Sequence, residues 1–544
     1  MIKKLLLLSC AASSLLATNG VNMIGTGTVS RSMGGTGVAF FSSGSDAMNK
    51  NPALIADVKN NEFHFDITYF NATVKTSTTD NMFLNETAAN PIYDGYNPNG
   101  TSQNHLDTNF IPTMSYVGRI NDSWSWGFSM FGVAGLGVDY KDTSKKNYID
   151  TNGNPNSNYG QRRFKSGMML MKLIPAFAYR TGNTTFGIAP VLGLGAMSIN
   201  YDESQTQADG NRDNRQSRRE GLFGTNIGGP DLVPAFGWQA GMDIKVTEKL
   251  RIGTTYQSSL KYTYNDVANF KQFGPHGMVN MTNDFTGGAL AQLAHTDSTT
   301  GNQSQDVIDA IVGADPTGLI TQDMAKAMVG LMPTGTIKDS LEATNPANLD
   351  DLTMEQPWEI AIGFGYDLTD QVTVTGDYRY IAWGLAEGYK DFGWENQSVY
   401  ALGFEFRPNK KFRFRGGYNY AESPLKGNSG ELGSLLTDVQ GTLVFDQAVS
   451  MLNMTGFPAI ATTHFTLGAG YDFTENFTLD GAFMYSPEVE VSRSGALLPG
   501  ASGVLGSQLP GYLEGIVLPG VDMNYEYKTS MQQMTLSLGL NYKF

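Results

Sequence analysis

The chain has 544 residues, of which 41% are hydrophobic, with 63 glycines, one cysteine and a formal net charge of −15. That acidity argues against a nucleic-acid partner, which calls for a basic face, and it names no substrate of its own. The length admits several soluble domains or one large closed sheet.

The first residues read as an export signal. "MIKK" is a basic start, and "LLLLSCAASSLLA" is an apolar run too short to span a bilayer as a mature helix. Residues 1–20 are therefore expected to be a signal peptide, cleaved near Ala17 or Gly20. Cys10 in "LLSC" is weakly similar to a lipoprotein cleavage site, but the apolar run before it is very short. If Cys10 leaves with the signal, no disulfide framework, thiol nucleophile or cysteine metal site remains. No later run reaches the ~18 apolar residues of a transmembrane helix. Two destinations fit an exported, glycine-rich and aromatic-rich chain: a secreted β protein or a closed membrane barrel.

The next segment, "MGGTGVAFFSSGSDAMNKNPALI" from Met33 to Ile55, invites a nucleotide-binding reading. Gly35 and Gly37 are in place for a G-x-G-x-x-G fingerprint, but Phe40 stands where the third glycine belongs, and no Lys–Ser/Thr pair follows. What the segment does contain is two helix starts. Ser45 can cap a short helix over Asp46–Lys50, and Asn51 can cap the next, with Pro52 at its first position. Residues 21–60 are thus expected to form a compact plug, or hatch, and residues 61–544 a barrel around it.

Strands begin near Glu62 and end at Phe544. In "PWEIAIGFGYDL", Trp358, Ile360, Ile362, Phe364, Tyr366 and Leu368 alternate with small or polar residues. "FRFRGGYNY" and the terminal "MTLSLGLNYKF" repeat the pattern. A polar face rich in glycine and an apolar face ending in aromatics suit a barrel with lipid outside and a polar lumen. Turn chemistry marks Asn121–Asp122, Gly182–Asn183, Thr247–Lys249, Thr369–Gln371, Pro408–Lys410 and Thr474–Asn476. Six short turns with both chain ends on one rim give seven hairpins, hence a fourteen-stranded antiparallel transmembrane β-barrel. The long, polar connections fall on the other, extracellular rim.

The longest connection runs from about Asp266 to Met354. In it Val307, Ile308, Ile311 and Val312 share one helical face, and Met324, Met328, Leu331 and Met332 another. These faces either pack on each other over the barrel mouth or form an adaptable Met-lined groove for an apolar ligand. The five histidines, His64, His105, His276, His295 and His464, belong to no catalytic or metal-binding motif. No enzyme, catalytic residue, metal or cofactor is therefore expected. A general aqueous porin and an adhesive surface protein are the rival readings, and neither needs a plug.

"GTGTVSRSMGGTGVAFFSSGSDAMNKNPALI" resembles the N-terminal hatch of the FadL family of outer-membrane transporters, whose Asn-Pro-Ala motif is matched by Asn51, Pro52 and Ala53. The similarity continues in order through "IPTMSYVGRINDSWSWGFSMFGVAGLGVDY", "PAFGWQAGMDIKVTEKLRIGTTYQSSLKY", "FRFRGGYNYAESPL" and "HFTLGAGYDFTENFTLDGAFMYS" to "LNYKF". The long loops do not match in detail. The resemblance implies passive transport of long-chain fatty acids, aromatic hydrocarbons or similar hydrophobic molecules by a monomer. Such molecules are taken from a loop groove to a lumenal pocket and released by hatch movement or through a wall opening at a kinked third strand. The matching glycines are Gly132, Gly135 and Gly137, which can equally serve to make room for the plug. Arg379, Arg413 and Arg415 fall on inward positions, either to meet a ligand carboxylate or to pair with Glu359, Asp377 and Asp480. Outer-membrane lipid, and the barrel assembly machinery reading the C-terminal Phe544, are the other expected partners.

Overall fold

The computed structural model describes residues 18–80, 100–103, 108–140, 148–149, 155–156, 162–203, 226–227, 232–277, 279, 305–313, 322, 325–326, 329, 337–343, 350–425, 430–431, 436–496 and 524–544. All but the last three residues of the expected signal segment lie outside them.

Fourteen strands close into one antiparallel barrel. They are β1 (Glu62–Asp80), β2 (Thr108–Arg119), β3 (Trp124–Tyr140), β4 (Arg162–Thr181), β5 (Thr184–Glu203), β6 (Val233–Lys245) and β7 (Leu250–Gln257). After the longest connection follow β8 (Glu359–Thr369), β9 (Val372–Ile381), β10 (Gln397–Phe406), β11 (Phe412–Ala421), β12 (Thr463–Asp472), β13 (Phe477–Ala496) and β14 (Asn524–Lys543). The last strand pairs with the first from Lys543↔Glu62 to Tyr525↔Asp80. The seam is thereby hydrogen-bonded along its length, as a backbone in hydrocarbon requires.

All six short turns fall where the sequence places them. Five use one device, a side-chain oxygen that accepts the backbone amides two and three residues further on. Asn121 Oδ1 takes Ser123 and Trp124, both at 2.9 Å. Thr247, Thr369, Asn409 and Thr474 do the same at 2.8–3.2 Å. The sixth turn relies on Gly182, whose φ of +56° suits glycine.

The alternation also holds. Ile360, Ile362, Phe364 and Leu368 are exposed to the outside, as are Phe412, Phe414, Leu536, Leu538 and Leu540. Aromatic side chains pair near the short-turn rim, with Trp124–Tyr179 and Phe412–Tyr471 ring centroids 4.8 Å apart. Near the other rim Trp238–Tyr256 and Trp358–Tyr380 do so at 5.1 and 5.7 Å. Two such belts bound an apolar band in a membrane barrel.

Two local expectations are corrected. The helix α2 spans Gly44–Lys50 and is capped by Ser43, not Ser45. Ser43 is extended, so its hydroxyl reaches the Asp46 amide at 3.3 Å, whereas Ser45 already lies inside the helix. The longest loop, moreover, begins and ends earlier and later than expected. Leu260–Ala268 and Asp350–Gln356 pair as a separate antiparallel ribbon, with Leu260, Tyr262, Tyr264, Leu352 and Met354 buried. Its period-2 pattern matches a barrel strand, but its apolar face turns inward rather than to lipid.

Candidate functional site

The N-terminal segment from Asn19 to Val58 is folded inside the barrel and buried at nearly every residue. It comprises α1 (Thr28–Ser32), α2 and a 3-10 turn at Pro52–Asp57. Its backbone polar groups find partners on the inward faces of many strands. Asp377 of β9 accepts the Gly37 and Val38 amides at 2.8 and 3.1 Å. Thr466 of β12 accepts Gly34 N–H at 2.9 Å and donates to the Ser32 carbonyl at 3.0 Å. Asp66 of β1 accepts from the Thr28 amide at 3.0 Å. Within the segment, Asp46 gathers Gly27 N–H at 2.6 Å and Ser30 N–H at 3.2 Å. Gly34 and Gly35, at φ +69° and +81°, make the bend between the parts.

Asn51 is the joint of this piece. Its amide donates to Val38 O at 2.8 Å and to Met242 O of β6 at 3.0 Å, while its Oδ1 caps Ala53 N at 3.1 Å. Pro52 sits at the first position of the turn it starts. The wall strands leave room for this: a Cβ on Gly241 would stand 2.0 Å from Asn51 Oδ1. At the short-turn end, Asp57 pairs with Arg180 and Arg251, with Lys245 4.0 Å away.

Above the plug, away from the short turns, lies a narrow cavity that opens on one side to solvent. Its wall includes Met168 and Met197 of β4 and β5, Leu352 and Met354 of the inner ribbon, and Tyr389 and Trp394 of the loop after β9. Val21 closes it from the N-terminal side. Among the described residues, no Lys, Arg, Asp or Glu lines it. Trp394 donates to Asn453 Oδ1 at 3.2 Å, which fixes the ring. None of these residues stood out in the sequence. The "AWGLAEGYKDFGW" aromatics and the alternation from Leu260 to Tyr264 were the available signals.

Beside the cavity the wall is interrupted. The β2–β3 ladder runs from Arg119↔Ser125 to Thr113↔Phe131 and stops, although β2 extends to Thr108 and β3 to Tyr140. Pro112, next in line, has no amide to donate. On its other side β3 has a bulge between Gly132 and Ala134 in its pairing with β4. Asn22 of the N-terminal segment pairs with Ala134 there. Gly132 lies at the break, and Gly135 and Gly137 beyond it.

The three arginines each meet carboxylates. Arg379 Nη1 lies 3.6 Å from Glu359, and Arg415 bonds Glu405 at 2.6 Å and Asp480 at 2.7 Å. Arg413 pairs with Asp472. None of the three lines the cavity. In the long loop, Val307, Ile308 and Ile311 of α3 (Gln305–Gly313) are buried against Val279, Ala325 and Val329. A groove along that face would require the helices to part. Met324, Met328, Leu331 and Met332 lie outside the described residues.

A closed fourteen-stranded antiparallel barrel with an N-terminal segment folded into its lumen has the architecture of an outer-membrane channel. The family model described as "Outer membrane protein transport protein (OMPP1/FadL/TodX)" matches residues 8–431, and the chain belongs to that family. Among solved structures it is similar to a Pseudomonas aeruginosa FadL homologue, at 13% identity and a TM-score of 0.54, covering 96% of this chain and 100% of that one. It is likewise similar to the Pseudomonas putida toluene transporter TodX, at 15% identity and a TM-score of 0.52, covering 97% and 100%. At these identities the likeness speaks for the fold. No curated protein matches the chain.

Proposed function

We propose that the protein is a passive uptake channel for neutral hydrophobic molecules of aromatic size. The observation that carries this is the cavity lining, which is apolar and aromatic and, among the described residues, holds no charged side chain. A fatty acid would need a cation at that depth, and Arg379, Arg413 and Arg415 are engaged with carboxylates elsewhere. An apolar molecule gains ~0.8 kcal/mol per buried CH₂ without any such group. In this reading the molecule enters from the loops, α3 included. It rests in the cavity, then leaves through the break beside Gly132, Gly135 and Gly137 or past a displaced plug anchored by Asn51, Pro52 and Ala53. TodX of Pseudomonas putida, similar in fold, is a toluene transporter, which supports such a cargo.

The test is binding of labelled toluene and labelled oleate to the folded barrel in detergent, alongside its conductance in a planar bilayer. Saturable toluene binding, lost when Leu352→Trp fills the cavity, is the expected result. Oleate binding without toluene binding would instead favour a fatty-acid carrier. A barrel that conducts ions freely and binds neither would be a porin.

A further inference from the structure

The cavity is apolar, yet the hydroxyl of one lining tyrosine, Tyr389, is buried there, and those of Tyr262 and Tyr264 are buried behind it between the ribbon and β5. Tyr262, Tyr264 and Tyr389 are each more than nine-tenths buried. In the inner ribbon Tyr262 stands opposite Met354 and Tyr264 opposite Leu352. Directly opposed residues of an antiparallel pair share a face, and Leu352 and Met354 line the cavity. The two rings lean on β5 where glycines leave space. A Cβ on Gly193 would stand 2.2 Å from the Tyr262 hydroxyl, and one on Gly195 2.8 Å from that of Tyr264. Tyr389 lines the cavity itself.

These hydroxyls have little to bond. Among the described residues neither Tyr262 nor Tyr264 has a hydrogen-bond partner for its hydroxyl. Tyr389 donates only to the thioether of Met168, at 3.4 Å, and sulfur is a weak acceptor. Phenylalanine would fill the same volume without burying a polar group, so an unsatisfied hydroxyl at three neighbouring positions is costly unless something accepts from it. The remaining lining residues supply one polar side chain, Asn453, whose Oδ1 is taken by Trp394.

We propose that the cavity is a site for neutral aromatic molecules bearing a hydrogen-bond acceptor, such as an aryl ketone, with Tyr389 as the donor. Tyr262 and Tyr264 extend the same polar strip along the ribbon. The assignment rests on the neutral-cargo reading above and narrows it from hydrocarbons to oxygenated aromatics.

The experiment compares acetophenone with α-methylstyrene, which differ only in an oxygen for a CH₂ group. Dissociation constants are measured for the intact barrel, Tyr389→Phe and the Tyr262→Phe/Tyr264→Phe pair. Comparing each ligand with itself across variants cancels the difference in transfer from water. Tyr389→Phe is expected to weaken acetophenone about five- to tenfold and to leave α-methylstyrene unchanged or slightly tighter. The double variant should show the same selectivity to a smaller extent. Heat-modifiable gel migration checks that each barrel is folded. Equal changes for the two ligands, or none for either, would overturn the hydroxyl assignment while leaving the neutral-cargo reading intact. If the intact barrel binds neither ligand, that broader reading falls as well.

Discussion

Lys50 closes α2 inside the lumen, with its ammonium donating to the Ile24 carbonyl at 3.2 Å. Burial lowers its pKa to about 7, and the positive charge of Arg379 works in the same direction. Glu359, Asp377 and Asp46 act the other way and do not outweigh the burial. With the plug displaced into water, Lys50 would hold its proton to about pH 10. Between about pH 7 and 10 the docked plug therefore binds fewer protons than the displaced one. Docking strengthens as pH rises through that window, by at most about 1.4 kcal/mol per pH unit for one proton. Below pH 7 both forms are charged and the dependence vanishes. Opening events in a planar bilayer should thus become rarer from pH 7 to 9, and Lys50→Met should be closed more often at pH 7 and flat across the range. An identical slope in that variant would assign the effect to another group.

At the scale of elements, β3 is the strand that breaks the rules of its neighbours. It leaves β2 after Phe131, carries a bulge against β4 and takes Asn22 as a partner. If this break is the exit, deleting Val133 removes the extra residue and lets the β3–β4 pairing run on in regular register. Uptake into liposomes should then fall at least tenfold while ligand binding in detergent stays as it was. Equal uptake would place the exit elsewhere. The strands themselves were legible because lipid on one side and plug on the other impose a period of two over ten or more residues. The turns were legible because Asn or Thr sits at the position that caps two amides. The inner ribbon was not, since Leu260, Tyr262 and Tyr264 have the same period as a wall strand, and which side their apolar face meets depends on distant chain. Ser43 rather than Ser45 caps α2 for a similar reason. Both serines can cap, and the close approach at Gly44, where a Cβ would stand 2.5 Å from Val117 and 2.8 Å from Ser115, is set by the barrel wall. The lining aromatics Tyr389 and Trp394 come from an irregular loop that carries no periodicity to read.

For the molecule as a whole, the barrel wall and the plug are held by different forces, and this separates stability from gating. The wall is closed by ladders between neighbouring strands, cut short between β2 and β3 but running the length of the β14–β1 seam, and its outer face is fitted to hydrocarbon. The plug is held by polar contacts spread around the lumen and, at its short-turn end, by the cluster of Asp57 with Arg180, Arg251 and Lys245. Arg251 also bonds Asp243 at 2.5 Å, so it keeps a partner when Asp57 is altered. Asp57→Asn should therefore leave the barrel folded and act on the plug alone. The loss of two charge-assisted bonds costs about 2 kcal/mol, roughly thirtyfold in the docking equilibrium. The barrel should keep its heat-modifiable gel shift and melting temperature, yet show frequent ion-conducting openings in a planar bilayer. High salt, which screens the partly exposed cluster, should raise openings in the intact protein and change the variant little. A variant that instead melts early, with no added conductance, would mean that Asp57 supports the wall rather than latching the plug.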